Sequence, residues 1–80
     1  MLATRENINQ WIITAKKKEC KFIISVCDTF DYYDYPVFCK TIKQVKEDYL
    51  VYNSKMQRIN EIIRINDDGT VDENLNLSLI

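Results

Sequence analysis

Eighty residues, 46% apolar and 11% aromatic, make one folded domain with a thin core and argue against a disordered chain. A formal charge of −1 with no histidine and one glycine removes the commonest general base, most zinc, copper and iron centres, and every glycine-rich phosphate cradle. Three cysteines, an odd number with no CxxC pair, lack the spacing of a Cys₄ site and read as thiols in a reducing compartment.

The first predicted element is a helix: Thr4 suits its N-cap, and Ile8, Trp11, Ile12 and Ala15 recur at i, i+3, i+4 and i+7. Lys16, Lys17 and Lys18 fall in its last turn, where cations complement the carbonyl end of the dipole. KFIISVC follows with the period of a strand and apolar residues at both parities, which predicts a central strand. After the segment from Asp28 to Tyr35, read as a loop, PVFCK reads as a second strand, with Pro36 held to its first position. These two strands are expected to form a long-looped hairpin.

Thr41 and Gln44 form a capping-box pair, and Ile42, Val45, Tyr49 and Tyr52 continue at helical spacing to an end near Asn53. MQRINEIIRI fits a helix stripe through Ile59, Ile62 and Ile63, or a strand whose face carries Ile59, Ile63 and Ile65 and is broken by Glu61; the strand is preferred. Asn66, Asp67, Asp68 and Gly69 mark a turn, and the alternating Leu75, Leu77 and Leu79 suggest a short last strand or a tail. The expected fold is α+β: a small antiparallel sheet, hairpin plus third strand, with two amphipathic helices in the order α-β-β-α-β. Both helices are expected on one face of that sheet. Residues 1–66 form the domain and 67–80 an acidic strand or tail.

Candidate binding residues concentrate between Asp28 and Tyr35. Asp28, Asp31 and Asp34 interleave there with Phe30, Tyr32, Tyr33 and Tyr35, and the pattern lacks the bidentate glutamate of a calcium loop. Aspartates also organise turns, whereas tyrosines supply rigid contact area and faces that stack on a nucleobase. Lys40 and Lys43, at the start of the second helix, and Arg58 and Arg64, on the third strand, are the cations that could neutralise an anionic ligand. Acidic groups at Asp28, Asp31, Asp34, Asp67, Asp68, Asp72 and Glu73 could instead mimic phosphates on a protein inhibitor. The cysteines read as small core residues, and Asp28 beside Cys27 disfavours a thiolate. No catalytic constellation and no cofactor are expected. MLATRENINQ carries no leader pattern, and no apolar run reaches membrane-spanning length, so a cytoplasmic protein without membrane or duplex nucleic-acid binding is expected.

The block VCDTFDYYDYPVF, Val26 to Phe38, resembles the signature of small phage and prophage proteins that carry a CDTFD-x-x-DYPV stretch. TRENINQW and YNSKMQRINEI match the layout of that group, and the chain departs from it after Ile65. Its element order is similar to the N-terminal half of the Thoeris anti-defence sponge proteins, which oligomerise and sequester nucleotide-derived immune signals. The resemblance implies a non-catalytic counter-defence protein in the host cytoplasm, a homo-oligomer that binds such a signal. The alternatives are a direct, anti-CRISPR-like inhibitor of a host defence protein, or a structural or regulatory phage protein.

Overall fold

The computed structural model describes residues 4–53 and 56–75, and Leu77 and Leu79 lie outside them. Helix α1 spans Arg5–Lys17, β1 Phe22–Asp28, β2 Tyr33–Cys39, α2 Ile42–Tyr52, β3 Gln57–Ile65 and β4 Val71–Asp72. The strands form one antiparallel sheet in the order β2-β1-β3-β4, so the fold is the expected α+β class with a two-residue fourth strand added.

Local chemistry sets the helix ends. Thr4 and Asn7 cap α1 reciprocally, with the Thr4 hydroxyl accepting from the Asn7 amide at 3.2 Å and the Asn7 side chain accepting from the Thr4 amide at 3.1 Å. At the other end the Cys20 amide reaches back to the Ala15 carbonyl at 2.8 Å and the Glu19 amide to Lys16 at 3.2 Å, a Schellman motif that puts Glu19 at φ +59°. Thr41 caps α2 by accepting from the Gln44 amide at 3.1 Å. The return bond of the expected capping box is displaced by one residue, because the Gln44 side chain accepts from the Lys40 amide at 3.0 Å.

The two helices cover opposite faces of the sheet, not one. Ile12 and Ala15 of α1 pack with Cys20, Ile23, Ile63 and Ile65, flanked by Ile8, Trp11, Phe38 and Val71. Val45 of α2 packs with Phe22, Ile24, Val26, Cys39 and Ile62, flanked by Tyr35, Val37, Tyr49, Tyr52, Ile59 and Leu75. The physical reason is in β1, where every residue from Phe22 to Cys27 is buried: a strand apolar at both parities needs a cover on each side. Burying Ile23, Ile24 and Ile63 completely contributes roughly 1.5–3 kcal/mol for each side chain.

Strand β2 begins at Tyr33, three residues before Pro36, so the expected eight-residue loop shortens to a turn over Thr29–Tyr32. Pro36 sits mid-strand, which the ladder tolerates because β2 is an edge strand. In β3 the register against β1 shifts by one between Ser25 and Val26: Ser25 faces Glu61, Val26 faces Ile59, and Asn60 is the extra residue of a bulge. Ile59 therefore joins the α2 face, and the expected face of Ile59, Ile63 and Ile65 is divided. After β4 the Leu75 amide bonds to the Ile62 carbonyl at 2.8 Å, bringing Leu75 onto the α2 layer.

Candidate functional site

The turn joining β1 to β2 is built by Asp28. Its Oδ1 accepts from the Phe30 amide at 2.9 Å and the Asp31 amide at 3.1 Å, while its carbonyl accepts from the Tyr32 amide at 2.7 Å. Tyr32 takes φ +56°, which closes the turn; the residue is 71% exposed, and Phe30 in the same turn is 70% exposed. The Thr29 amide bonds to the Met56 carbonyl at 2.9 Å and ties the entry to β3 against this turn.

The candidate residues from the sequence separate once they are placed. Asp28 organises the turn, Phe30, Asp31 and Tyr32 stand at its tip, and Tyr33 and Tyr35 lie on the α2 face. A tilted pair of Tyr33 and Tyr35 rings at 5.8 Å continues into an edge contact of Tyr35 with Tyr52 at 6.3 Å, and the Gln57 amide donates to the Tyr35 hydroxyl. Burial raises the Tyr35 phenol above its ordinary pKa, with Tyr52 next in effect.

Asp34 and Arg58 point to the α1 face, on either side of Cys27 in the sheet. Burial pushes the Cys27 thiol up, and the nearby Asp34 carboxylate adds to it; Arg58 acts in the opposite sense. Asp34, not the sequence neighbour Asp28, is the carboxylate that opposes a Cys27 thiolate. On the same face Glu61 faces Ser25, and its buried Oε1 has no hydrogen-bond partner among the described residues.

The remaining cations are remote from the rings. Lys40 and Lys43 follow the far end of β2, and Arg64 pairs with Phe22 at the far end of β1, about 20 Å from the turn at the rise of a strand. Arg64 is also engaged by Asp72 at 2.9 Å, which together with Asn66 lowers the Asp72 pKa. The acidic residues do not form one surface either. Asp67 pairs with Lys21 at 2.6 Å and Glu73 with Arg5 at 2.6 Å, whereas Asp28, Asp31 and Asp34 belong to the turn end. Among the described residues no group of three metal-ligating side chains converges, and no described helix is long and apolar enough to cross a membrane.

What the fold does bring together is apolar. Leu50 and Val51 occupy the last turn of α2, whose C-terminal Tyr52 touches Tyr35, and Met56 adjoins the β1–β2 turn. Of the eight exposed large apolar side chains among the described residues, six lie at this end: Phe30, Tyr32, Tyr33, Leu50, Val51 and Met56. Leu50, the most exposed at 78%, Val51 and Met56 are absent from the sequence-based set. A signal for two of them was present, since Leu50 and Val51 fall outside the stripe of Val45, Tyr49 and Tyr52 that α2 buries.

A cleft of about 530 Å³ opens at the opposite, charged end, between Lys16, Glu19, Cys20 and Lys21 on one side and Ile65, Asn66, Asp67 and Gly69 on the other. Its lysines are engaged within the protein, Lys16 with the Gly69 carbonyl at 3.1 Å and Lys21 with Asp67. No protein-family model, curated protein or solved structure matches the chain. The described residues form a small α+β fold with an aromatic, apolar end and a charged end.

Proposed function

We propose that this chain is a non-catalytic counter-defence binding protein that holds a host protein against its apolar end. The observation that carries the reading is the gathering of Phe30, Tyr32, Tyr33, Leu50, Val51 and Met56 at one end of the sheet. Exposed apolar patches of several hundred Å² mark interaction sites, and aromatic residues are the side chains on which binding energy concentrates. Lys40, Lys43 and Arg64 lie far from the tyrosines, and Arg58, the one candidate cation at this end, points to the α1 face, opposite Tyr33 and Tyr35; this favours a protein partner over a nucleotide-derived signal, whose phosphates need cations beside the stacked base. The counter-defence context is the one implied by the CDTFD-x-x-DYPV resemblance.

The test is affinity capture from bacterial lysate with the parent protein and with a Tyr32→Ser, Leu50→Glu variant shown by circular dichroism to be folded. A protein retained by the parent and lost from the variant supports the reading; capture unchanged by both substitutions removes the apolar end as the site. Thermal unfolding against cyclic dinucleotides, cyclic trinucleotides and ADP-ribose derivatives runs in parallel, since a ligand at 100 times its dissociation constant adds about 2.7 kcal/mol of stability. A shift with one of these would favour the sequestering version.

A further inference from the structure

We infer that the cleft at the charged end is a binding site for a small zwitterion, an α-amino acid with an apolar side chain. Its walls are the α1–β1 connection and the β3–β4 turn, and backbone bonds set both. The Cys20 amide donates to the Ala15 carbonyl at 2.8 Å, the Ile65 amide to the Lys21 carbonyl at 2.7 Å and the Gly69 amide to the Asn66 carbonyl at 3.0 Å. A volume of about 530 Å³ falls in the range of small-molecule sites, which are largely formed before the ligand arrives. Cys20 and Ile65, buried members of the α1-face core, give the cleft an apolar base for an apolar side chain to cover.

Charge names the rest of the ligand. Lys16, Lys21, Glu19 and Asp67 line the cleft, two of each sign. Lys21 and Asp67 satisfy one another at 2.6 Å, whereas neither Lys16 nor Glu19 forms an ion pair among the described residues. The Lys16 ammonium donates over the cleft to the Gly69 carbonyl at 3.1 Å, a neutral acceptor at the turn wall. Glu19 follows the last turn of α1, whose carbonyl end adds partial negative charge to the other wall. A carboxylate at Lys16 and an ammonium at Glu19 answer both charges. A plain anion leaves Glu19 opposed, and a plain cation leaves Lys16 opposed. The cleft is at the opposite end of the sheet from Tyr32 and Leu50, so its occupancy is independent of the proposed contact with a host protein.

An amide-resolved NMR titration of the full chain with leucine, methionine and phenylalanine, up to about 20 mM to bracket millimolar association, tests this. At least one amino acid is expected to shift the amides of Glu19, Cys20, Lys21, Asp67 and Gly69 saturably. Each is compared with the acid that lacks its ammonium and the amine that lacks its carboxylate, which for leucine are isocaproate and isoamylamine. Both are expected to bind at least about tenfold more weakly than the amino acid. Lys16→Met and Glu19→Gln, each shown by its urea midpoint to be folded, should weaken binding at least about tenfold as well. Lys17→Met, at an exposed neighbour outside the cleft, should bind as the parent does. Two cleft variants are used so that a folding defect in one does not decide the matter. No saturable shift with any of the three amino acids, an acid that binds as tightly as its amino acid, or binding indifferent to both cleft substitutions overturns the inference.

Discussion

Ile59 and Ile63, four residues apart in β3, pack on opposite faces of the sheet. In an unbroken strand they would share a face, because side chains repeat with a period of two. Asn60 is the residue that separates them: it is added between Glu61, opposite Ser25, and Ile59, opposite Val26. Removing it should restore strict alternation and leave every other β3 side chain on its present face. Deletion of Asn60 is therefore expected to keep the fold, with stability changed by no more than about 1 kcal/mol. Deletion of Ile62, equal in length, would draw Glu61 into the α2 core in place of a buried isoleucine and should unfold the protein. Urea titration of both variants distinguishes the cases, and loss of structure on deleting Asn60 would contradict the role given to it.

That bulge also explains what the sequence made legible and what it did not. The α1 stripe of Ile8, Trp11, Ile12 and Ala15 and the caps at Thr4 and Thr41 are local signals, and the structure follows them. Which face each helix covers is a long-range property. Ile23 and Ile24 announce that both faces of β1 are buried, but not which helix buries which. The candidate site divides in the same way. Phe30 and Tyr32 are conspicuous in the sequence, whereas Leu50 and Met56 reach the same end only through the packing of Tyr52 on Tyr35 and the bond from Thr29 to Met56.

Glu19 closes the Schellman motif of α1 in the left-handed region, at φ +59°. A side chain there costs about 1–2 kcal/mol, and glycine avoids that cost at an entropic loss of roughly 0.5–1 kcal/mol. Glu19→Gly is expected to stabilise the protein by about 0.5–1 kcal/mol, read as a higher urea midpoint at unchanged slope. A lower midpoint would mean that the Glu19 side chain contributes something beyond its backbone position.

Among the described residues, Asp72, Glu73 and Asp68 titrate below their ordinary range. Asp72 is held down by Arg64 and then Asn66, Glu73 by Arg5, and Asp68 by the hydroxyl and amide of Thr70. A depressed native pKa contributes stability that is present above the unfolded value, about 4, and is lost as pH falls through the native value. Stability should be flat between about pH 5 and 8 and decline below about pH 4. Asp72→Asn should lower stability at neutral pH and flatten that decline, since its proton no longer links to folding. An acid limb as steep as the parent's would show that Asp72 is not among the groups responsible.

Cys39 behaves in the opposite sense. It is fully buried, its thiol donates to Asp48 Oδ2 at 3.4 Å, and burial followed by that carboxylate pushes its pKa up to about 12. Its contribution is complete below the unfolded thiol value of about 8.5 and is lost as pH rises from there toward the native value. Native protein at pH 8 should alkylate at Cys39 at least about a hundredfold more slowly than the urea-unfolded chain, as mass spectrometry of the modified peptide would record. Equal rates, with native circular dichroism retained, would refute the placement of this side chain.

Pro36 protects the open edge of β2. The Cys39 carbonyl accepts from the Lys21 amide at 3.0 Å, so Cys39 faces β1, and alternation turns Val37 and Tyr35 inward and Phe38, Pro36 and Asp34 outward. The missing N–H of Pro36 thus interrupts the row of donors that a further strand would use, without costing the β1 ladder a bond. Pro36→Thr should leave the fold intact and lower its stability by about 0.4–1 kcal/mol, through the greater freedom of the unfolded chain. It should also create edge-to-edge association. Concentration-dependent mass that light scattering finds in this variant and not in the parent belongs to the β2 edge. A variant whose mass matches the parent's at every concentration would show that the outward row of β2 is guarded by something other than its proline.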